Sequence, residues 1–176
     1  QKPSIRLYYI HNVNSAMKFI RDSLKVKLVA IGAEDIVDAN VKYILGLLWS
    51  VFRKIRSQDL GAENEKDEEM ALLKWVKEQT DGYKDVEIKG WKDSWGDGLA
   101  LNALIHKFDP SLVDYDSLNK DNQEENLKNA FTIAEQKLGI PQLLEAEELI
   151  KNNPDERSVI FYISLLFHAF VANEEK

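Results

Sequence analysis

Between Asn40 and Arg56, the residues Val41, Ile44, Leu45, Leu48, Phe52 and Ile55 recur at the i, i+3, i+4, i+7 spacing that gathers them on one side of a helix. The spacing predicts a helix there, with that stripe as its core face. From Ser158 to Val171 the pattern returns in Val159, Tyr162, Ile163, Leu166 and Phe170, and Asn153-Pro154-Asp155 marks its start. Between the two lie helices predicted at roughly 67 to 79, 97 to 108, 124 to 137 and 142 to 151. β-branched alternation between turn residues is scarce, so the expected fold class is all-α.

The two stripes belong to an internal repeat. Ala33-Glu34-Asp35-Ile36-Val37 matches Ala146-Glu147-Glu148-Leu149-Ile150, and after a five-residue insertion Val41 to Trp49 matches Val159 to Phe167 position by position. Upstream, Pro3-Ser4-Ile5 resembles Pro110-Ser111-Leu112, which starts the first copy deep inside the second. The first copy is therefore expected to be an incomplete domain without counterparts of residues from about 67 to 109. Such a half should be unstable or bind a complementing segment. The expected layout is residues 1–58 for the C-terminal part of a first domain, 59–66 for a linker and 67–176 for a second domain.

Charge sharpens that division. Residues 1–60 carry 10 Lys/Arg against 5 Asp/Glu and residues 61–176 carry 13 against 25, with the change at the acid-rich run Gly61 to Glu69. The overall charge of −7 argues against a general nucleic-acid binder. With no cysteine and three histidines, His11, His106 and His168, neither a disulfide framework nor a thiolate zinc site is expected, and a cytoplasmic home is favoured. The longest apolar-rich run, Val41 to Phe52, is interrupted by Lys42 and too short to cross a bilayer. No phosphate loop, nucleophile elbow, dinucleotide fingerprint, His-Glu-x-x-His or calcium loop is present, so no enzyme, metal or cofactor is expected.

The particular residues carry a resemblance. Lys27 to Lys42 and Leu45-Gly46-Leu47-Leu48-Trp49 in the first copy, with Ser94-Trp95-Gly96-Asp97-Gly98-Leu99-Ala100-Leu101-Asn102-Ala103-Leu104-Ile105-His106, Leu112-Val113-Asp114-Tyr115, Leu138-Gly139-Ile140-Pro141 and Pro154-Asp155-Glu156-Arg157 in the second, follow one family's order along nearly the whole chain. The chain resembles the tandem calponin-homology actin-binding domain of the spectrin superfamily, most of all that of alpha-actinins. Ala39 stands where that family usually has Gly, the linker is shorter and more acidic, and Phe108-Asp109 replaces a basic residue before Pro110. The resemblance implies two four-helix calponin-homology bundles, the first incomplete because the family's first actin-contacting helix precedes the matching part.

On the predicted helix 40–56, Lys42, Gly46, Ser50 and Lys54 line the side opposite the stripe, flanked by Tyr43 and Leu47. Such a strip either packs against a neighbouring domain or offers burial and steering charge to an acidic filament. The resemblance implies the second, with Lys27, Glu34, Asp38, Lys42, Tyr43, Gly46, Leu47, Ser50 and Lys54 as contacts to F-actin and residues 67–77 as a weaker one. It also implies an interdomain latch of Trp49 with Arg157, although Trp49 as core and Arg157 as a surface charge is the plainer alternative. Tyr83, Lys84, Lys89, Trp91 and Lys92 interleave cations with aromatics where the family binds phosphoinositides, but Asp85, Glu87 and Asp93 dilute that charge and leave a solvated loop equally open. Trp95 is expected in the core. Whole alpha-actinins imply an antiparallel dimer through a rod that this chain does not hold.

Overall fold

The computed structural model of the chain describes residues 3–62, 65–151 and 154–174. Among these residues every regular element is helical. They fall into two compact units, Gln1–Glu63 and Asn64–Lys176. Of the predicted start Asn153-Pro154-Asp155, Asn153 lies outside the described residues, as do Glu63 and Asn64 of the acid-rich run.

The first unit contains α1 (Pro3–Asp22), α2 (Ala33–Val37) and α3 (Val41–Asp59). The periodicity above does not predict α1, because Ile5, Leu7, Tyr8, Tyr9 and Phe19 scatter apolar exposure around it. Its inner stripe is Ile10, Val13, Met17 and Ile20, of which Met17 is fully buried. With Val26 and Ala33, Met17 makes up the small apolar centre of this unit. α2 closes in a Schellman turn: the Asn40 N–H reaches Asp35 O at 2.9 Å and the Ala39 N–H reaches Ile36 O at 3.1 Å. The residue that must turn left-handed there is Ala39, at φ 56°, where the resembled family's glycine would sit without strain.

The second unit contains α4 (Glu65–Thr80), α5 (Leu99–Phe108), a 3-10 turn at Tyr115–Ser117, α6 (Gln123–Leu138), α7 (Ala146–Ile150) and α8 (Glu156–Glu174). α5 is its axis, with Leu99 to Ile105 buried without a break. Leu72 and Val76 of α4, Leu127 and Phe131 of α6 and Ile163 and Leu166 of α8 complete the core, as does Trp95, 1% exposed. Trp75 sets its edge against Phe167 and Phe170, each at 5.1 Å between ring centres, and Phe131 meets Tyr162 at 5.5 Å. α5 starts at Gly98, φ 72°, where a Cβ would stand 2.7 Å from Leu127 N. That close approach is fixed by asparagines. Asn102 donates to Gly98 O and Asn126 O and accepts from Asn129, while Asn126 donates to Asp97 O and Asn119 O.

The repeat is visible in the backbone, but with a different starting register. α1, α2 and α3 follow one another as α6, α7 and α8 do, and the ends of α1 and α6 close alike: the Val26 N–H reaches Ile20 O at 3.2 Å and the Ile140 N–H reaches Ala134 O at 3.0 Å. The expected match of Pro3-Ser4-Ile5 with Pro110-Ser111-Leu112 is thereby corrected. Pro3 opens a 20-residue helix, whereas Pro110 lies in the turn after α5. Among the described residues, the parts of the second unit without a counterpart in the first thus reach from α4 through the 3-10 turn, beyond the residue 109 expected.

Candidate functional site

The predicted contact residues of the first unit lie along one continuous course, from Val26 through α2 and along α3, while the weaker contact expected at residues 67–77 lies on α4. Val26 and Ala33 anchor this course in the first unit, leaving Lys27, Glu34 and Asp38 exposed between and beyond them. Gly32 N–H donates to Asp35 Oδ2 at 2.9 Å and starts α2. The Asp38 carboxylate is not a bare charge. Arg6, reaching over from α1, holds it through Nη2 at 2.7 and 2.9 Å and Nε at 3.2 Å. Hydrogen bonding to Asp38, then its negative charge, raises the guanidinium above its ordinary range. Arg6 is the residue that sequence reasoning missed at this surface, since no helix was expected to carry it there; the Ile10, Val13, Met17, Ile20 stripe was the available signal.

On α3 no single face is the core face expected, because residues of both sides are half-buried. Tyr43, Gly46, Leu47, Ser50 and Lys54 are half-buried, and Ile31 Cδ1 comes within 3.5 Å of where a Gly46 Cβ would stand. Ser50 spends its hydroxyl on Gly46 O, at 2.7 Å. Lys42 is exposed, its Nζ 5.9 Å from the Tyr43 ring centre. Of the stripe assigned to the core, Ile44 and Phe52 are half-buried, whereas Val41 is 66% exposed, Leu45 59%, Leu48 60% and Ile55 43%. A stripe becomes core only where another element covers it, and α2 with the preceding Ile31 packs on the side of Gly46. The exposed part of the candidate surface therefore consists of Lys27, Glu34, the Arg6–Asp38 pair and Lys42, with Tyr43 and Leu47 partly accessible beside them.

Trp49 is 41% exposed and stacks near Phe52, with ring centres 5.9 Å apart. Arg157 is exposed in the first turn of α8.

In the second unit the predicted lipid residues are largely engaged. Tyr83 OH lies 2.7 Å from His106 Nδ1, and burial raises its phenol pKa. Tyr115 donates to Lys84 O at 2.9 Å, and its own phenol is pushed up, first by burial and then by Asp97 and Asp85. Lys89 Nζ pairs with Glu87 at 3.1 Å. Trp91 stacks on Trp95 at 6.1 Å, while Lys84, Lys92 and the paired Lys89 are exposed. The adjoining cavity, about 210 Å³, is lined by Asp85, Glu87, Asp93 and Asp97 against Lys89 and Lys120. Its field favours cations over phosphate. Among the described residues no group of three His, Cys, Asp or Glu side chains could hold a metal ion, and no helix is long and apolar enough to cross a membrane.

Comparison with known proteins decides the family, since the calponin homology (CH) domain matches twice, at residues 2–57 and 66–172. The chain belongs to the calponin homology family. The calponin homology family is not a family of enzymes. Cortexillin-2 of Heterostelium pallidum is 49% identical over 175 residues, covering 99% of this chain and 39% of that protein. Cortexillin-2 of Dictyostelium discoideum is 46% identical over 175 residues, 99% of this chain and 40% of that protein. Human alpha-actinin-4 is 44% identical over 171 residues, 97% of this chain and 19% of that protein. The chain thus spans about two fifths of the cortexillins and one fifth of alpha-actinin-4, and in each case the likeness runs through both calponin homology stretches.

Proposed function

We propose that this chain is the actin-filament-binding module of a cytoskeletal crosslinking protein of the cytoplasm. The observation that carries the reading is the tandem calponin homology match together with 44–49% identity to alpha-actinin-4 and cortexillin-2 across nearly the whole chain. Lys27 and Lys42 steer the first unit to an acidic filament, Tyr43 and Leu47 supply apolar contact, and residues 67–77 add a weaker second contact. Crosslinking itself belongs to the longer protein, as an antiparallel dimer through a rod.

Cosedimentation with actin filaments tests this, run on the chain and on the full-length protein that contains it. Both are expected to pellet, and Lys27→Glu or Lys42→Glu should each weaken binding roughly fivefold, about 1 kcal/mol. A folded full-length protein that stays in the supernatant would overturn the reading. Closure of the pair through Trp49 and Arg157 is the regulatory part of the proposal, worth on the order of 1 kcal/mol for a guanidinium over an indole. Arg157→Glu should therefore tighten filament binding, and unchanged or weaker binding would remove the latch. A phosphoinositide-regulated membrane adaptor with little actin affinity is the other reading. The Lys89–Glu87 pair and the four carboxylates of the adjoining cavity oppose it, and capture by phosphoinositide vesicles without filament binding would establish it instead.

A further inference from the structure

Four non-glycine residues among those described have left-handed backbone, and three of them, Lys25, Ala30 and Ala39, each at φ 56°, fall between α1 and α3. At the place matching Lys25 the second unit has Gly139, at φ 69°. An L-residue held left-handed tilts its local equilibrium toward opening by roughly fivefold or more. Little in this segment opposes that tilt. Its regular part, α2, is only five residues long, far below what sustains a helix alone. Its buried apolar anchors are Val26 and Ala33, with half-buried Ile31 beside Gly46. Outside α2, its closing bonds among the described residues include Val26 N–H to Ile20 O, Gly32 N–H to Asp35 Oδ2, Ala39 N–H to Ile36 O and Asn40 N–H to Asp35 O, with Tyr43 and Ile44 N–H donating to Asn40 O. The Arg6–Asp38 pair that ties it to α1 is solvent-exposed.

We propose that residues 25–40 form a strained strap that opens as one local unit while α1 and α3 stay folded. The strap carries Lys27, Glu34 and Asp38, so each opening dismantles that part of the candidate surface. Its consequence for filament affinity rests on the actin reading above, because a surface assembled only part of the time binds more weakly by that fraction. The opening itself does not depend on that reading.

Amide hydrogen exchange followed by NMR on the chain tests it, without actin. The Val26, Asp38, Ala39 and Asn40 amides are expected to exchange together, with protection at least roughly tenfold below that of mid-α3 amides. Lys25→Gly, Ala30→Gly and Ala39→Gly should each slow that exchange about fivefold, and the triple variant about a hundredfold, with α4 to α8 unchanged. Protection equal to that of α3, or no slowing in the glycine variants, overturns the strap. Failure of the wild-type full-length protein to pellet with filaments would overturn the actin reading and leave the exchange result to decide the strap by itself.

Discussion

α3 and α8 are matching stretches of the repeat, and their apolar stripes end in different environments. Val159, Ile163 and Leu166 are each 0% exposed, whereas their partners in the repeat, Val41, Leu45 and Leu48, are each more than half exposed. The stripes themselves are alike. What differs is the cover, because the second unit carries α4 and α5, whose Trp75 and Phe108 reach the aromatic rings of α8 at about 5 Å. Helical periodicity says which residues share a face, and only the neighbouring elements decide whether that face is inside.

The sharpest way to break this comparison is to make the same cut in both helices. Leu166→Ala removes a fully buried side chain and should cost about 3 kcal/mol, through lost transfer energy and the cavity left behind. Leu48→Ala, at 60% exposure, should cost less than about 1 kcal/mol. Denaturant unfolding read by tryptophan fluorescence measures both. Equal costs would mean that α3 is covered in solution much as α8 is.

Cover also makes polar atoms expensive. Tyr162 is 1% exposed, and its hydroxyl has no hydrogen-bond partner among the described residues; its phenol pKa is raised first by burial and then by Glu135. At the matching place α3 has Ile44, half-buried and without a polar atom. Tyr162→Phe should stabilise the second unit by about 1 kcal/mol, the relief of an unsatisfied buried hydroxyl. A loss of stability in the same denaturation experiment would show that a buried water serves that oxygen.

These contrasts explain what the sequence disclosed. The all-α class, the repeat, the tandem organisation and the buried Trp95 were legible because each rests on apolar spacing or on a dense run such as Trp95 to His106. α1 was not, because its inward residues Ile10, Val13, Met17 and Ile20 are outnumbered by outward apolar ones, so no clean stripe emerged. Missing α1 misplaced the start of the repeat and hid the Arg6–Asp38 pair. The packing of α3 was beyond periodicity for another reason: both of its sides carry apolar residues, and Ile31 approaches on the side of Gly46.

The turns ending the helices give a comparison of opposite sign. The chain turns left-handed after α2 at Ala39 and after α6 at Gly139. Ala39→Gly should stabilise the first unit by about 1 kcal/mol and Gly139→Ala should destabilise the second by a similar amount. Thermal melts of the two variants are the check, and shifts in the same direction would refute the left-handed assignment at one of them.

The smallest expected effect separates the two helix starts by pH. α8 is capped by Asp155, whose carboxylate accepts from the Ser158 hydroxyl at 2.8 Å and the Ser158 N–H at 2.9 Å, whereas the Asn40 side chain makes no such bond at the start of α3. Those two bonds, the hydroxyl's first, hold Asp155 below the ordinary carboxylate value, with the charge of Arg157 helping. A depressed folded-state value means that the cap's contribution is fully present above an unfolded value of about 4 and is lost as pH falls through the lower folded one. Asp155→Asn should therefore lower the melting temperature at pH 7 by more than it does at pH 3. Asn40→Ala should have the same small effect at both, because the Asn40 side chain carries no titratable group. An Asp155→Asn deficit that persists undiminished at pH 3 would mean that the cap acts through its geometry and not through its charge.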